Sequence, residues 1–201
     1  MAQIISNERM GDDLYFMKTD EQTPCRPGQF YMVRGWEQYP LLSRPISIFD
    51  RDEEGTHFLY RVVGEGTKIL SKMKKGDAVT LYGPYGNGFS FENRSKVAFV
   101  GGGIGTAPLY YAAKTYRENN PDGKMILHLG FEENNRVIDR FKSLGADVRV
   151  KIGGFVTDDV QASADTSYYA CGPEVMMKVL YEKVKKSTDQ VYVSMEKRMA
   201  F

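Results

Sequence analysis

The chain has 201 residues, of which 42% are apolar and 26% are charged, a composition typical of a folded globular protein. Its formal net charge of +1 argues against nucleic acid as a main partner, because a polyanion is bound through an excess of Lys and Arg. No apolar run approaches membrane-spanning length, and the N-terminus lacks the apolar segment of a signal peptide, so we expect a cytoplasmic protein without a membrane partner.

The first 94 residues predict an antiparallel β-barrel. Short runs in which apolar and polar residues alternate, separated by turn formers, are typical of the strands of such a barrel. The predicted strands cover residues 13–18, 29–34, 45–49, 57–63 and 77–82. One short helix, Thr67–Met73, is predicted to interrupt them.

From residue 95 the pattern changes to strands that alternate with helices, which predicts a doubly wound parallel sheet. The predicted strands are 97–100, 125–130, 147–152, 168–171 and 191–194, and the predicted helices are 108–117, 136–144 and 173–186. In the last helix, the apolar residues predicted to face the sheet are Val175, Met176, Val179, Leu180 and Val184. We therefore expect two domains, residues 1–94 and 95–194, followed by a tail, 195–201.

A glycine-rich turn follows the first strand of the second domain, in the run Gly101–Gly105. Glycine allows a tight turn and a close approach of an anion to the backbone amides. Because a helix begins just after the turn and its first N–H groups are unpaired, a pyrophosphate is the expected ligand. Pro108 stands where G-x-G-x-x-G would need its last glycine, and no Lys-Ser or Lys-Thr follows as in a P-loop. A glycine turn without a ligand remains the alternative for this turn by itself.

Two further motifs in the barrel half suit a phosphate. Arg44 precedes a predicted strand, and its planar fork of donors fits a diphosphate. Ser47 lies on the same face of that strand as Pro45. A second glycine turn, Gly64–Thr67, opens the predicted short helix and offers a further phosphate-binding edge. Each motif alone is also typical of an ordinary strand edge or turn.

Together, and in this order, the motifs resemble those of the ferredoxin–NADP reductase superfamily, in which an FAD-binding barrel precedes an NAD(P)-binding domain. The matching motifs are Arg44-Pro45-Ile46-Ser47, Gly66-Thr67, Gly101–Pro108 and Cys171-Gly172-Pro173. Within the superfamily the chain is most similar to the electron-transfer subunits of class 1B dihydroorotate dehydrogenases, over essentially its whole length. The segments that carry this closer resemblance are 83–89, 154–158, 169–173 and 194–199.

The resemblance implies that FAD is bound by Arg44, Pro45, Ile46 and Ser47, with Arg44 at the pyrophosphate and Ser47 near the flavin ring. Tyr60 and Arg61 would line the cofactor. Gly66 and Thr67 would hold its phosphate.

The resemblance also implies a nicotinamide dinucleotide on the second domain, with Cys171 beside the nicotinamide. The residues expected to contact it are Gly102, Gly103, Ile104, Gly105, Thr106, Cys171, Gly172 and Pro173. No side chain is expected to be catalytic, since hydride passes directly between the cofactors. Ser47 and Cys171 are candidates for modulating that transfer.

Coenzyme choice and metal binding are the remaining questions about ligands. Glu132 and Glu133 follow the second strand of the second domain, where a carboxylate can bond a ribose 2′-hydroxyl and repel a 2′-phosphate. Arg136 lies close by in sequence and argues the opposite, so NAD is expected in preference to NADP by a modest margin. Neither His57 nor His128 stands in a cluster of metal ligands, and no metal is expected.

The implied activity is that of an FAD-dependent NAD(H) oxidoreductase of pyrimidine biosynthesis, bound to an FMN-containing catalytic subunit that takes dihydroorotate. In such subunits the segment resembling residues 195–200 leads into a cysteine-rich loop that holds a [2Fe–2S] cluster. Phe201 stands where the first of those cysteines is expected, and Cys25 and Cys171 cannot build a four-thiolate cluster, so we expect no cluster in this chain. Stacking of Phe201 on the flavin is a further hypothesis. The alternatives are a stand-alone NAD(P)H–flavin or ferredoxin reductase, and a non-catalytic regulatory subunit that retains the fold.

Overall fold

The computed structural model describes residues 1–195, which form a closed six-stranded barrel followed by a five-stranded parallel sheet. The barrel strands are β1 (Ala2–Arg9), β2 (Leu14–Thr19), β3 (Phe30–Arg34), β4 (Arg44–Arg51), β5 (Thr56–Arg61) and β6 (Ala78–Tyr85). They follow the order β1-β2-β5-β4-β3-β6, and each neighbouring pair is antiparallel. Helix α1 (Glu65–Lys72) lies between β5 and β6 in sequence. The predicted antiparallel barrel is confirmed.

Strand β1 is absent from the sequence-based prediction. Its first half alternates, with Ala2 and Ile4 buried, but its second half, Ser6–Arg9, is polar and carries no strand signal. The strand is held by its neighbours, because it pairs with β2 over most of its length and with β6 at Ala2 and Gln3. Pairing with neighbouring strands, rather than its own residue pattern, therefore creates this strand.

Strand β4 presents alternate residues to the two sides of the barrel wall. Ile46 and Ile48 are 6% and 0% exposed and belong to the core inside the barrel. Pro45 is exposed and Ser47 is half-buried, because successive strand residues point to opposite faces. Pro45 and Ser47 therefore share one face of the strand, as predicted, and the structure shows that it is the outer face.

The second sheet has the strand order β11-β10-β7-β8-β9, with every pair parallel. Its strands are β7 (Lys96–Gly102), β8 (Lys124–Phe131), β9 (Asp147–Ile152), β10 (Ser167–Cys171) and β11 (Val191–Ser194). The helices are α2 (Ala107–Asn119), α3 (Val137–Lys142) and α4 (Glu174–Val184), and short 3-10 turns cover Gly103–Thr106 and Val156–Asp159. From β7 the chain adds β8 and β9 on one side and then β10 and β11 on the other, which is the predicted doubly wound order. The carboxyl ends of β7 and β10 therefore form the switch point at which ligands bind in such sheets.

The prediction of which residues of α4 face the sheet is partly wrong. Met177, Leu180 and Val184 are buried, whereas Val175 and Val179 are 71% and 47% exposed. At about 100° per residue, Val175 and Val179 each lie about 200° from Met177, on the other side of the helix. The apolar residues surround more than half of the helix, so spacing alone cannot select the buried stripe.

The barrel and the parallel sheet share one hydrophobic core. It includes Phe16 and Leu59 from the barrel together with Leu109 of α2 and Phe99 of β7. Lys114 Nζ of α2 lies 2.8 Å from Asp50 Oδ1 of β4, which connects the two parts of the fold.

The tail predicted for residues 195–201 lies outside the described residues apart from Met195. The stacking hypothesis for Phe201 also falls outside them, as does most of the tail motif 194–199. Within the described residues, no helix is long and apolar enough to cross a membrane.

Candidate functional site

Arg44, at the start of β4, lies against the first turn of α1. A β-carbon at position 66 would lie 2.6 Å from Arg44 Nε and 2.7 Å from a ring carbon of Trp36, so this approach requires Gly66. The Arg44 guanidinium lies 5.7 Å from the centre of the Trp36 ring, and its Nη1 donates to the Leu42 carbonyl at 2.9 Å. The structure thereby brings together two of the predicted phosphate-binding elements.

The start of α1 leaves room for an anion beside that guanidinium. No atom lies within 4 Å of where a β-carbon at Gly64 would stand. Thr67 Oγ1 accepts hydrogen bonds from the N–H groups of Val63 and Gly64, at 3.0 and 3.2 Å, and donates to the Gly64 carbonyl. Its hydroxyl therefore shapes the turn. A phosphate here would be held by the helix N-terminus and by Arg44, a donor set that suits a diphosphate.

A cleft of about 960 Å³ opens on the outer face of the barrel and continues to the end of the parallel sheet. Pro45 and Ser47 of β4 line one side, and Ser194 and Met195 at the end of β11 line another. Phe30 and the segment 86–90 complete much of the wall. The volume lies within the range of about 300–1,000 Å³ typical of sites for small ligands and cofactors. The lining is mixed, since Phe30 and Phe89 lie beside Ser47, Glu92 and Arg94, and such a lining suits a planar aromatic ring with a polar edge, such as a flavin.

The glycine turn after β7 packs tightly against the end of β10. A β-carbon at position 105 would lie 2.5 Å from the Cys171 carbonyl oxygen, so only glycine allows this contact. Gly103 has a φ of +57°, the left-handed region, and no atom lies within 4 Å of where its β-carbon would stand. The turn thus has one side closed by protein and one side open, as an approaching pyrophosphate requires.

The other residues predicted to bind the dinucleotide at this turn are packed against, or hydrogen-bonded to, neighbouring parts of the protein. Thr106 is fully buried, and its Oγ1 donates to the Gly103 carbonyl at 2.9 Å. Ile104 packs on the shared core. Pro173 caps the N-terminus of α4, so a second helix begins beside the dinucleotide turn.

Cys171 joins the two parts of the site. It is 2% exposed and pairs in register with Gly101 on β7 and with Ser194 on β11. Gly101 leads into the glycine turn, and Ser194 lines the large cleft. Cys171 therefore lies between the expected dinucleotide site and the expected flavin site.

Tyr60 lies elsewhere than the resemblance implied. It is 2% exposed in the barrel core, its ring stacks on Tyr15 with centroids 5.8 Å apart, and its hydroxyl donates to Asn7 Oδ1 at 3.0 Å. Burial raises the pKa of Tyr60 above its ordinary value. Its side chain supports the barrel and does not line the cleft. The side chain of Ile46 is likewise part of the barrel core.

Arg61 points to the opposite side of the barrel wall from Tyr60, as the next residue of a strand does. It lines a small pocket together with Gly103 and Thr106 of the dinucleotide turn. Its Nε and Nη2 donate to Asp13 Oδ2 at 2.8 and 2.6 Å, and these hydrogen bonds raise the pKa of the guanidinium. Arg61 is therefore placed beside the expected dinucleotide and outside the large cleft.

A group of possible metal ligands occurs at the β4–β5 hairpin, where none was expected from the sequence. Ligand atoms of Asp52, Glu54 and His57 lie within 4.8 Å of one another. Lys18 Nζ lies 2.7 Å from Glu54 Oε2, which places a positive charge where a cation would bind. Among the described residues, none of this group lines either pocket. The signal was the run Asp52–Glu54 just before His57 in the sequence.

Comparison with known proteins identifies the family. No family model matches the chain. The dihydroorotate dehydrogenase B (NAD(+)) electron transfer subunit of Clostridium acetobutylicum is 40% identical over 208 residues, which cover 100% of this chain and 83% of that protein. The chain belongs to this family. The corresponding subunits of Clostridium perfringens and Fusobacterium nucleatum are 34% and 38% identical, covering 99% and 96% of this chain and 83% and 82% of those proteins.

Solved structures of related reductases share the fold of this chain. An NADH-dependent reduced ferredoxin-NADP oxidoreductase, studied for flavin-based electron bifurcation, superposes with a TM-score of 0.83 and 28% identity, covering 99% of this chain and 77% of that one. A ferredoxin NADP+ reductase from Neisseria gonorrhoeae with bound FAD and NADP gives a TM-score of 0.77 over 96% of both chains at 14% identity. The second likeness concerns the fold alone.

Proposed function

We propose that this chain moves electrons between NAD(H) and FAD as the electron-transfer subunit of a dihydroorotate dehydrogenase, an enzyme of pyrimidine biosynthesis. One observation carries most of the proposal: Gly101, Cys171 and Ser194 lie side by side in register at the ends of three neighbouring strands. A dinucleotide on the glycine turn and a flavin in the large cleft would meet at this point. Direct transfer between two cofactors needs this proximity.

The barrel domain, residues 1–94, is the proposed FAD-binding unit. Arg44 and the N-terminus of α1 meet the pyrophosphate with one full positive charge and a set of unpaired N–H groups. Pro45 and Ser47 face the flavin ring from the wall of the cleft. Gly66 allows the arginine and the helix to approach each other, and Thr67 fixes the turn through its three hydrogen bonds.

The second domain, residues 95–194, is the proposed NAD-binding unit. The open side of Gly103 and the N-terminus of α2 receive the pyrophosphate, while Gly105 holds the turn against β10. Gly102 is less restricted, since its β-carbon would lie 2.7 Å from Sδ of Met176, a flexible side chain that can shift. Cys171, Gly172 and Pro173 shape the floor beside the nicotinamide. The buried thiol of Cys171 acts by its size and polarity.

Bound FAD supplies the conversion between two-electron and one-electron chemistry. The chain contributes position and the exclusion of water. The ring of Phe89 stands almost perpendicular to that of Tyr169, with centroids 5.5 Å apart, which fixes a rigid apolar wall behind the cleft. No proton has to be moved by a side chain of this chain for hydride to pass between two cofactors.

The proposed partner is an FMN-containing catalytic subunit, to which dihydroorotate itself binds. The support is the family, whose members are named electron transfer subunits of dihydroorotate dehydrogenase B. A cytoplasmic location agrees with a chain that has two cysteines, one of them buried in the sheet.

The test is the visible spectrum of the purified chain before and after anaerobic addition of NADH. Flavin bands that bleach support the reductase chemistry, and copurification with an FMN-containing subunit when both are co-expressed supports the complex. Bleaching without such a partner favours a stand-alone reductase. A colourless protein that takes up no added FAD would instead identify a non-catalytic subunit that retains the fold.

A further inference from the structure

A small pocket of about 50 Å³ lies where the barrel meets the dinucleotide turn. Asp13 and Arg61 come from the barrel, Gly103 and Thr106 from the turn, and Glu132 and Glu133 follow β8. In a doubly wound sheet the adenosine ribose of a dinucleotide extends toward the end of the strand after the glycine turn. On the proposed function, this pocket therefore adjoins the ribose and its 2′-position.

Arg61 provides the guanidinium of this pocket, and it is paired on two sides. Its Nε and Nη2 both donate to Asp13 Oδ2, at 2.8 and 2.6 Å. Nη2 also lies 3.7 Å from Glu132 Oε2. The carboxylate of Asp13 thus occupies two of the donors with which an arginine grips a phosphate.

The charge of the pocket disfavours a phosphate. Its described lining includes three carboxylates, those of Asp13, Glu132 and Glu133, and one guanidinium, which gives a formal net charge of −2. Arg136, which follows the two glutamates, directs its Nη2 to the Arg9 carbonyl and does not line the pocket. A ribose 2′-hydroxyl can donate to the exposed carboxylate of Glu132, whereas a 2′-phosphate meets like charge.

We infer that Asp13, a residue of the barrel domain, selects NAD over NADP by keeping Arg61 paired. Without the Asp13 carboxylate, Arg61 loses its two short hydrogen bonds and keeps only the 3.7 Å pairing with the exposed Glu132. Its Nε and Nη2 can then turn to the 2′-position, and a guanidinium is a preferred ligand for phosphate. Asp13 is thus a specificity-determining residue that acts through Arg61. The inference rests on the proposed binding of a nicotinamide dinucleotide to the glycine turn.

The test compares the binding of NAD+ and NADP+ to the FAD-loaded protein by isothermal titration calorimetry. Asp13→Asn keeps the size of the side chain and removes its charge, and we expect it to tighten NADP+ binding by about tenfold or more. Binding of NAD+ should change by less than about threefold. Adding Arg61→Gln to Asp13→Asn should abolish the gain, while Arg61→Gln alone should change NADP+ binding little, because that guanidinium is already paired in the native protein.

Asp12→Asn is the matched control, because Asp12 is the neighbouring carboxylate, is exposed, and pairs with Arg9 at 3.5 Å. It should leave both affinities unchanged. The inference is overturned if Asp13→Asn leaves the NADP+ affinity unchanged, or if the gain survives in the double variant. In either case, a native protein that binds NAD+ leaves the proposed function standing. A native protein that binds neither dinucleotide counts against the proposed function itself.

Discussion

Phe49 of β4 and Tyr110 of α2 stack face to face, with ring centroids 4.4 Å apart and an interplanar angle of 8°. β4 begins with the proposed flavin motif, and α2 begins directly after the proposed dinucleotide turn. One aromatic contact therefore links the elements that carry the two sites. The ion pair between Asp50 and Lys114 lies one residue further along β4 and four further along α2, which ties the same two elements a second time. On the proposed function, this interface would help to set the distance between the two cofactors.

Removing the Phe49 ring should destabilise the whole molecule. Phe49 is fully buried in the shared core, and truncation of such an aromatic ring to Ala costs about 3–5 kcal/mol. Phe49→Ala should lower the free energy of unfolding by this amount in urea titrations. Tyr39→Ala, at a side chain that is 75% exposed, is the control and should change it by less than about 0.5 kcal/mol. Equal effects of the two substitutions would show that the interface contributes little.

Arg44 should determine how tightly FAD binds. A hydrogen bond to a charged group contributes about 1.5–3 kcal/mol, so Arg44→Gln should weaken FAD binding by roughly 10- to 100-fold. The dissociation constant can be measured by quenching of flavin fluorescence on titration with apoprotein. Arg149→Gln, on the sheet of the other domain, removes a charge that is paired with Asp147 and should leave FAD binding unchanged. An unchanged dissociation constant for FAD in Arg44→Gln would show that Arg44 does not take part in FAD binding.

Gly103 and Gly145 form a matched pair for testing the dinucleotide turn. Both have positive φ angles, +57° and +65°, and neither has an atom within 4 Å of where its β-carbon would stand. Ala should therefore cost about 1–2 kcal/mol of backbone strain at either position. Only at Gly103 would the added methyl group enter the space expected for the pyrophosphate. Gly103→Ala should weaken NAD+ binding in calorimetry by at least about tenfold. Gly145→Ala, between α3 and β9, should leave NAD+ binding unchanged. A similar loss of NAD+ affinity in Gly145→Ala would mean that backbone strain alone is responsible.

Local sequence identified the motifs, but strand pairing decided where their side chains point. Pro45 and Ser47 share one face of β4, as alternation predicted, and both line the cleft. Tyr60 and Arg61 were interpreted as one cofactor-lining unit, yet they face opposite sides of β5, and Tyr60 is buried beside Tyr15 of the neighbouring strand. Which face of β5 points inward depends on its pairing with β2 and β4, which the motif does not contain.

Contacts between segments of the barrel that are distant in sequence were equally hidden. Asp13 precedes β2 in a turn with no recognised motif, and its role depends on Arg61, 48 positions later. The dinucleotide turn was easier to predict, because its glycines, strand and helix are contiguous. A contiguous strand, turn and helix can be recognised in the sequence, whereas two residues that barrel closure brings together cannot.

His128 should make the stability of the fold depend on pH. It is 3% exposed in the middle of β8, and burial lowers its pKa from 6.5 to about 4. The folded protein therefore keeps His128 neutral at a pH at which the unfolded chain binds a proton. Stability that is present above pH 6.5 is lost as the pH falls toward 4, and the loss between pH 7 and pH 5 should be about 2 kcal/mol from this residue.

The measurement is the free energy of unfolding in urea at pH 7 and at pH 5, for the native chain and for His128→Leu. The substitution removes the titrating group, so the variant should lose about 2 kcal/mol less than the native chain over this interval. The comparison uses the pH dependence of each protein, which a uniform change in stability does not affect. His57, whose pKa burial also lowers, is present in both proteins, and its contribution cancels. Parallel pH profiles would show that His128 is protonated in the folded state as readily as in the unfolded chain.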